Sequence, residues 1–194
     1  MIGASADRYR IALSGIFHHW RLLFFCPPLQ PVPGPAGLQV VINRENDIKA
    51  AYLYNFCKYV EWPADHVHTK QKVVIAVLGS SPVYNSLVKI THKKMIQNRE
   101  LVVEKWSSMK DFDFCHVLFV PEDHDDELLK MYLQKFKEKS ILIVGEQDGF
   151  TKRAGIINFF VESNKIRFEI NDRIAESRNL KISSKLMQLG RRAD

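Results

Sequence analysis

The chain has 194 residues, 46% hydrophobic and 26% charged, with a net charge of +6, which fits one domain with its own core plus some extra sequence. Residues 1–36 carry Arg8, Arg10 and Arg21 against Asp7, and the rest carries 25 basic against 21 acidic residues, a balance too mild and too evenly spread for a nucleic-acid surface. No stretch reaches the roughly 18 continuous apolar residues of a membrane helix.

The N-terminus resembles an interrupted secretory leader. Arg8 and Arg10 precede "IALSGIF", and "LLFFC" follows "HHWR". Gly34 and Ala36 would supply the small residues for cleavage after Ala36. A misread start codon accounts for the same residues. The Pro-rich "PPLQPVPGPAG" at 27–37 cannot continue a helix and reads as a linker. Residues 1–42 are therefore read as leader and linker, and 43–194 as the domain.

The first predicted element is a helix from Asn46, its N-cap, to Trp62. Ile48, Tyr52, Phe56 and Tyr59 recur at helical spacing, flanked by Leu53 and Val60. Pro63 ends it by pushing the preceding residue out of the α region. Within it, "NFCKYVEWPAD" has the density of a reactive site, but the spacing makes Cys57 a packed thiol beside Leu53 and Val60. "VVIAVLG" at 73–79 reads as a strand buried on both faces. Ser81 and Pro82 supply the N-cap and first-turn proline of the next helix, with Val83, Leu87 and Ile90 on one side. "ELVVEKW" (100–106), "HVLFVP" (116–121) and "SILIVGE" (140–146) are further strands. "DDELLKMYLQKF" (125–136) is an acid-started amphipathic helix. "IINFFVE" and "KIRFEIN", joined by Ser163-Asn164, form a tight hairpin. Asn171-Asp172 opens a last helical region, and "ISSKLMQLGRR" closes it with Ser183 or Ser184 as cap. The order implies an α/β fold: a single Rossmann-like layered domain, its mostly parallel central sheet carrying a C-terminal antiparallel hairpin and flanking helices.

Catalytic patterns are missing from the sequence. Gly79-Ser80-Ser81 follows a strand and opens a helix, but matches neither dinucleotide nor P-loop spacing. The acids of a phosphate-accepting receiver domain are missing at the strand ends. His66 and His68 are too few for a metal site and read as solvated loop residues. Cys115 and His116 are adjacent on a strand, so they point to opposite faces and cannot act as nucleophile and base. The acids of "HDDE" (124–127) are what a helix N-terminus favours. No catalytic residue, metal or cofactor is assigned.

The stretches "KAAYLYNFCKYVEWP", "VVIAVLGSSPVYNSL", "CHVLFVP", "ILIVGEQDGFTKRAGIINFFVESNKIRFEIN" and "LKISSKLMQLGRR" resemble, in order and spacing, the YfiR family from about Ile48 to Gly190. The resemblance implies an exported, periplasmic, non-catalytic α/β protein. It would repress a membrane-bound diguanylate cyclase, or a similar sensor enzyme, by engaging its periplasmic sensor domain. Cyclic di-GMP and the choice between biofilm and motility would follow. Phe150, Arg153, Asn158, Arg167, Asn171 and Arg173 are the expected partner-binding residues, because arginine and aromatic side chains anchor such surfaces. Phe150 has core packing as its alternative role, and Arg167 that of a solvated strand residue. A homodimer is compatible with the family. The alternative function is small-molecule binding at the sheet's C-terminal edge, lined by Gly79, Ser80, Ser81, Pro121 and Glu146. The chain departs from the family in having Ala154-Gly155 for a glycine pair. It also has Ile75 or Ala76 where some members carry a cysteine able to pair with the one before "HVLF". Redox control by disulfides is therefore not expected, and a Cys57–Cys115 bridge stays open at this point.

Overall fold

The computed structural model describes residues 36–63, 71–108, 111, 114–153 and 155–193. The leader-like segment, His66, His68 and Ala154 lie outside them.

The first helix, α1 (Ala36–Tyr59), starts ten residues before the expected cap. Asn46 is therefore an interior residue, buried, and its Nδ2 has no partner among the described residues. The helix also ends earlier than expected, because Val60–Glu61 leaves it as a strand, β1. That strand pairs antiparallel with β9 (Lys181–Ile182), setting Glu61 opposite Lys181. The Ser183 N–H donates to the Tyr59 carbonyl at 2.9 Å. The buried stripe of α1 runs through Ala50, Leu53, Phe56 and Cys57, and Val60 of β1 continues it, while Ile48 is 38% exposed.

The main sheet has eight strands in the order β10-β8-β7-β6-β5-β2-β4-β3. Strands β2 (Lys72–Leu78), β4 (Arg99–Trp106), β5 (Val117–Val120), β6 (Leu142–Gly145) and β7 (Ile157–Glu162) form its parallel core. β3 (Met95–Ile96) and β8 (Lys165–Ile170) add antiparallel pairs, and β10 (Arg191–Arg192) runs parallel to β8. The chain steps from β2 to β4 on one side and returns to place β5 on the other. The sheet's topological switch thus lies between β2 and β5.

Two apolar layers cover the sheet. On one face, Val73, Ile75, Val77, Phe119, Val144, Phe159 and Phe168 pack with α1 and with Val83 and Leu87 of α2 (Pro82–Thr91). On the other, Ala76, Leu78, Leu118, Val120 and Ile143 pack with Leu129 and Tyr132 of α3 (Asp126–Lys135). Alternation along β2 and β5 feeds both layers, as side chains of period two require. Trp106, Tyr132 and Phe136 stack with ring centroids 5.6–6.3 Å apart. Three short helices complete the domain: α4 (Phe150–Arg153), α5 (Asp172–Ser177) and α6 (Ser184–Leu189). Ser81 and Ser183 cap as read, accepting from the Val83 and Leu186 N–H groups, and Asp125 and Asn171 cap α3 and α5 by accepting from Glu127 and Leu128 and from Ile174. Ser163 and Asn164 both have positive φ, 49° and 60°, the geometry of a two-residue hairpin turn.

Candidate partner-binding surface

The C-terminal edge of the sheet brings Pro121 and Glu146 together, but its polar groups are already engaged. Glu146 Oε2 accepts from Lys49 Nζ at 2.6 Å, and Oε1 accepts from the Glu122 N–H at 3.0 Å. The carboxylate thus ties α1 to the ends of β5 and β6. The Pro121 carbonyl takes a 2.6 Å bond from His124 Nδ1. Gly79, at φ 67°, makes the turn out of β2 and donates to the Trp106 carbonyl at 2.7 Å. Ser81 is occupied as a cap and Ser80 is exposed.

The six residues expected on the partner surface divide by burial. Phe150 is 1% exposed, and its ring fills the space where side chains at Gly145 and Gly155 would stand. It therefore plays its alternative role as core. Asn158 is buried, and its Oδ1 has no partner among the described residues. Asn171 caps α5, and its Nδ2 donates to the Thr151 carbonyl at 3.2 Å. Thr151 in turn donates to Glu169 at 2.8 Å, so α4, β8 and α5 are knit together. Arg153, Arg167 and Arg173 are exposed. Arg153 bonds the Gln147 side chain, and Arg167 lies 4.0 Å from Glu162. Beside them Arg191 lies over the Phe160 ring at 4.3 Å and pairs with Glu169 at 2.9 Å.

Sequence reasoning missed three clefts. The first, about 700 Å³, is lined by Glu61, Trp62, Pro63, Glu176, Asn179, Leu180 and Lys181. The second, about 300 Å³, lies across β9 and reaches Met187 and Arg192. The third, about 540 Å³, lies between α1 and the β7–β8 tip, with Ile48, Tyr52 and Lys165 in its wall. None of the five residues expected at the sheet edge lines these clefts. The placement of Glu61 and Trp62 at a helix end beside a loop was the one signal that could have pointed to the first.

Nucleophilic chemistry finds no support in the thiols. Burial pushes the Cys57 thiol up to about 12, and Cys115 well above its ordinary value, with Glu104 repulsion adding to the second. Both are free, and they belong to opposite faces of the sheet. The bridge left open by the sequence is therefore not formed. Cys115 and His116 do point apart: the His116 ring packs edge-on against Trp62 and Phe114, and its Nδ1 accepts from the Val74 N–H at 3.1 Å. Among the described residues, no group of three His, Cys, Asp or Glu side chains is placed to hold a metal ion. None of the described helices is long and apolar enough to cross a membrane.

No curated protein matches the chain. A family model described as YfiR/HmsC-like matches residues 46–191, from the buried Asn46 in α1 to the first residue of β10. That family is, in general, one of periplasmic, non-catalytic regulators of cyclic di-GMP signalling that act on the sensor domain of a signalling enzyme. The match takes in the described domain apart from the first ten residues of α1 and the last ones of the chain, and the chain belongs to the YfiR/HmsC-like family.

Proposed function

We propose that this protein restrains a membrane-bound sensor enzyme, a diguanylate cyclase or a close equivalent, by binding its periplasmic sensor domain. The observation that carries this reading is the exposed guanidinium set Arg153, Arg167 and Arg173 on a knit scaffold of α4, β8 and α5. Arginine at the edge of a rigid element is a common anchor at protein interfaces. Phe150, Asn158 and Asn171 would act beneath that surface by fixing its shape. Engagement of both Glu146 oxygens by Lys49 and the Glu122 N–H weighs against a small-molecule site at the sheet edge.

The test is recovery of the partner and its output together. The tagged protein is isolated from detergent-solubilised envelopes, and cyclic di-GMP is measured with the gene present and deleted. Co-recovery of a transmembrane cyclase, with a rise in cyclic di-GMP on deletion, supports the proposal. Recovery of the free protein with a tightly held metabolite favours the ligand-binding alternative. Recovery of a self-associated protein alone, with unchanged cyclic di-GMP, overturns the regulatory reading.

A further inference from the structure

The cleft between α1 and the hairpin tip is walled by Arg44, Glu45, Ile48 and Tyr52 on one side and by Asn164, Lys165, Ile166 and Arg167 on the other. Lys165, Ile166 and Arg167 are consecutive in β8. Successive strand side chains point to opposite faces, so three in a row line one cleft only when it runs along the strand's edge. Among the described residues that edge is open beyond Glu169 and Ile170, where β10 pairs with β8. The Ala193 N–H donates to the Ile170 carbonyl at 2.8 Å, so the even-numbered residues of β8 turn their backbone groups outward. The Ile166 N–H and C=O face this edge with no partner among the described residues.

Charged residues on an edge strand by themselves only guard it against pairing. Here they rim apolar groups of the same cleft, Ile48, which is 38% exposed, with Tyr52 and Ile166. Arg44, Lys165 and Arg167 outnumber the single acid, Glu45. A second copy of the chain brings a net +6, and its one dense acidic run, Glu122–Glu127, is held in the bend and first turn that open α3 rather than as a strand. Residues 1–34 carry three arginines against one aspartate and are not acidic.

We propose that this cleft docks an extended, acidic segment of the partner, which adds as a strand to the outer edge of β8 beside Ile166. Such strand addition takes its affinity from main-chain hydrogen bonds and its specificity from alternate side chains. The proposal deepens the regulatory reading and rests on it for the partner's identity.

Fluorescein-labelled octapeptides alternating Val with Glu, or Val with Lys, serve as probes in fluorescence anisotropy with the purified protein. The Glu peptide binds, weakens at least 10-fold between low and high salt, and loses binding when its central residues are N-methylated. Arg44→Glu with Arg167→Glu weakens it at least 10-fold, while Lys137→Glu, an exposed charge just beyond α3, leaves it unchanged. Equal binding of both peptides, indifference to N-methylation, or indifference to the double reversal overturns the proposal. So does a concentration-dependent doubling of mass that the double reversal abolishes, which would assign the edge to a second copy. Recovery of the membrane enzyme by the double variant as well as by the wild type sinks the docking site alone. Peptide binding as predicted, with no enzyme recovered by the wild type, sinks the regulatory reading alone.

Discussion

Lys49 Nζ lies 2.6 Å from Glu146 Oε2, with both side chains largely buried, so one ion pair joins the middle of α1 to the end of β6. Because the other oxygen of Glu146 holds the Glu122 N–H, the carboxylate serves three elements at once. Removing the lysine leaves a mostly buried carboxylate with one donor. Lys49→Ala should lower stability by about 1–3 kcal/mol. Glu146→Gln, which keeps an acceptor, should cost less. Urea unfolding checks both. Equal, negligible losses would mean the pair is solvated and the sheet edge is freer than its geometry indicates.

Phe150, expected at the surface, lies in the core. Carbon atoms added at Gly145 and Gly155 would stand 2.3 and 2.1 Å from its ring. Phe150→Ala should cost about 3–5 kcal/mol, the range for deleting a buried aromatic ring. Gly155→Ala should cost about 1–3 kcal/mol through overpacking. The double variant Phe150→Leu, Gly155→Ala should recover part of the second loss, since a smaller side chain makes room. A chemical-denaturation cycle measures that coupling.

The Cys57 thiol is fully buried, and burial raises its pKa from 9.0 to about 12. The unfolded chain ionises near the ordinary value, while the folded chain holds the proton. Above pH 9 the unfolded state therefore binds fewer protons, and stability falls as pH rises toward 12. The rise corresponds to an upper bound of about 4 kcal/mol. Cys57→Ala should show a shallower loss than the wild type between pH 9 and 11, and Cys57→Ser should leave regulation intact at neutral pH. Matching slopes for wild type and Cys57→Ala would refute the assignment. Native-state labelling by a thiol reagent should be slow at both described cysteines.

How much was legible from the sequence depended on the range of the interaction. The doubly buried strand at Val73–Leu78, the Ser81-Pro82 cap and the Ser163-Asn164 turn are signalled within a few residues, and all three form as read. The early start of α1 was hidden by the Pro-rich run before it and by Gly37, which argue against a helix locally. The exit of Val60–Glu61 from that helix depends on pairing with Lys181–Ile182, some 120 residues away. The two-residue strands β3, β9 and β10 are too short to show alternation. The site was less legible still. Arginine positions could be named from the sequence, but the cleft joins Ile48 and Tyr52 to Lys165 and Arg167 through the tertiary fold.

The hairpin turn sets the register on which that cleft depends. Ser163 and Asn164 close the loop at φ 49° and 60°, with Glu162 opposite Lys165. Asparagine tolerates the left-handed region better than serine, because its short side chain bonds locally. Ser163→Asn should therefore stabilise the domain by a few tenths of a kcal/mol, up to about 1. Asn164→Val should cost about 1–2 kcal/mol, since a β-branched residue is strained there. Inserting one glycine between them should do more than loosen the turn. Where pairing slips by one residue, every β8 side chain changes face, and Ile166 leaves the α1 layer. The insertion variant should lose binding of the acidic octapeptide, and Ser163→Asn should keep it. An insertion that preserves both stability and peptide binding would show that the register is held elsewhere, by the packing of Phe159 and Phe168 against Tyr52 and Phe56.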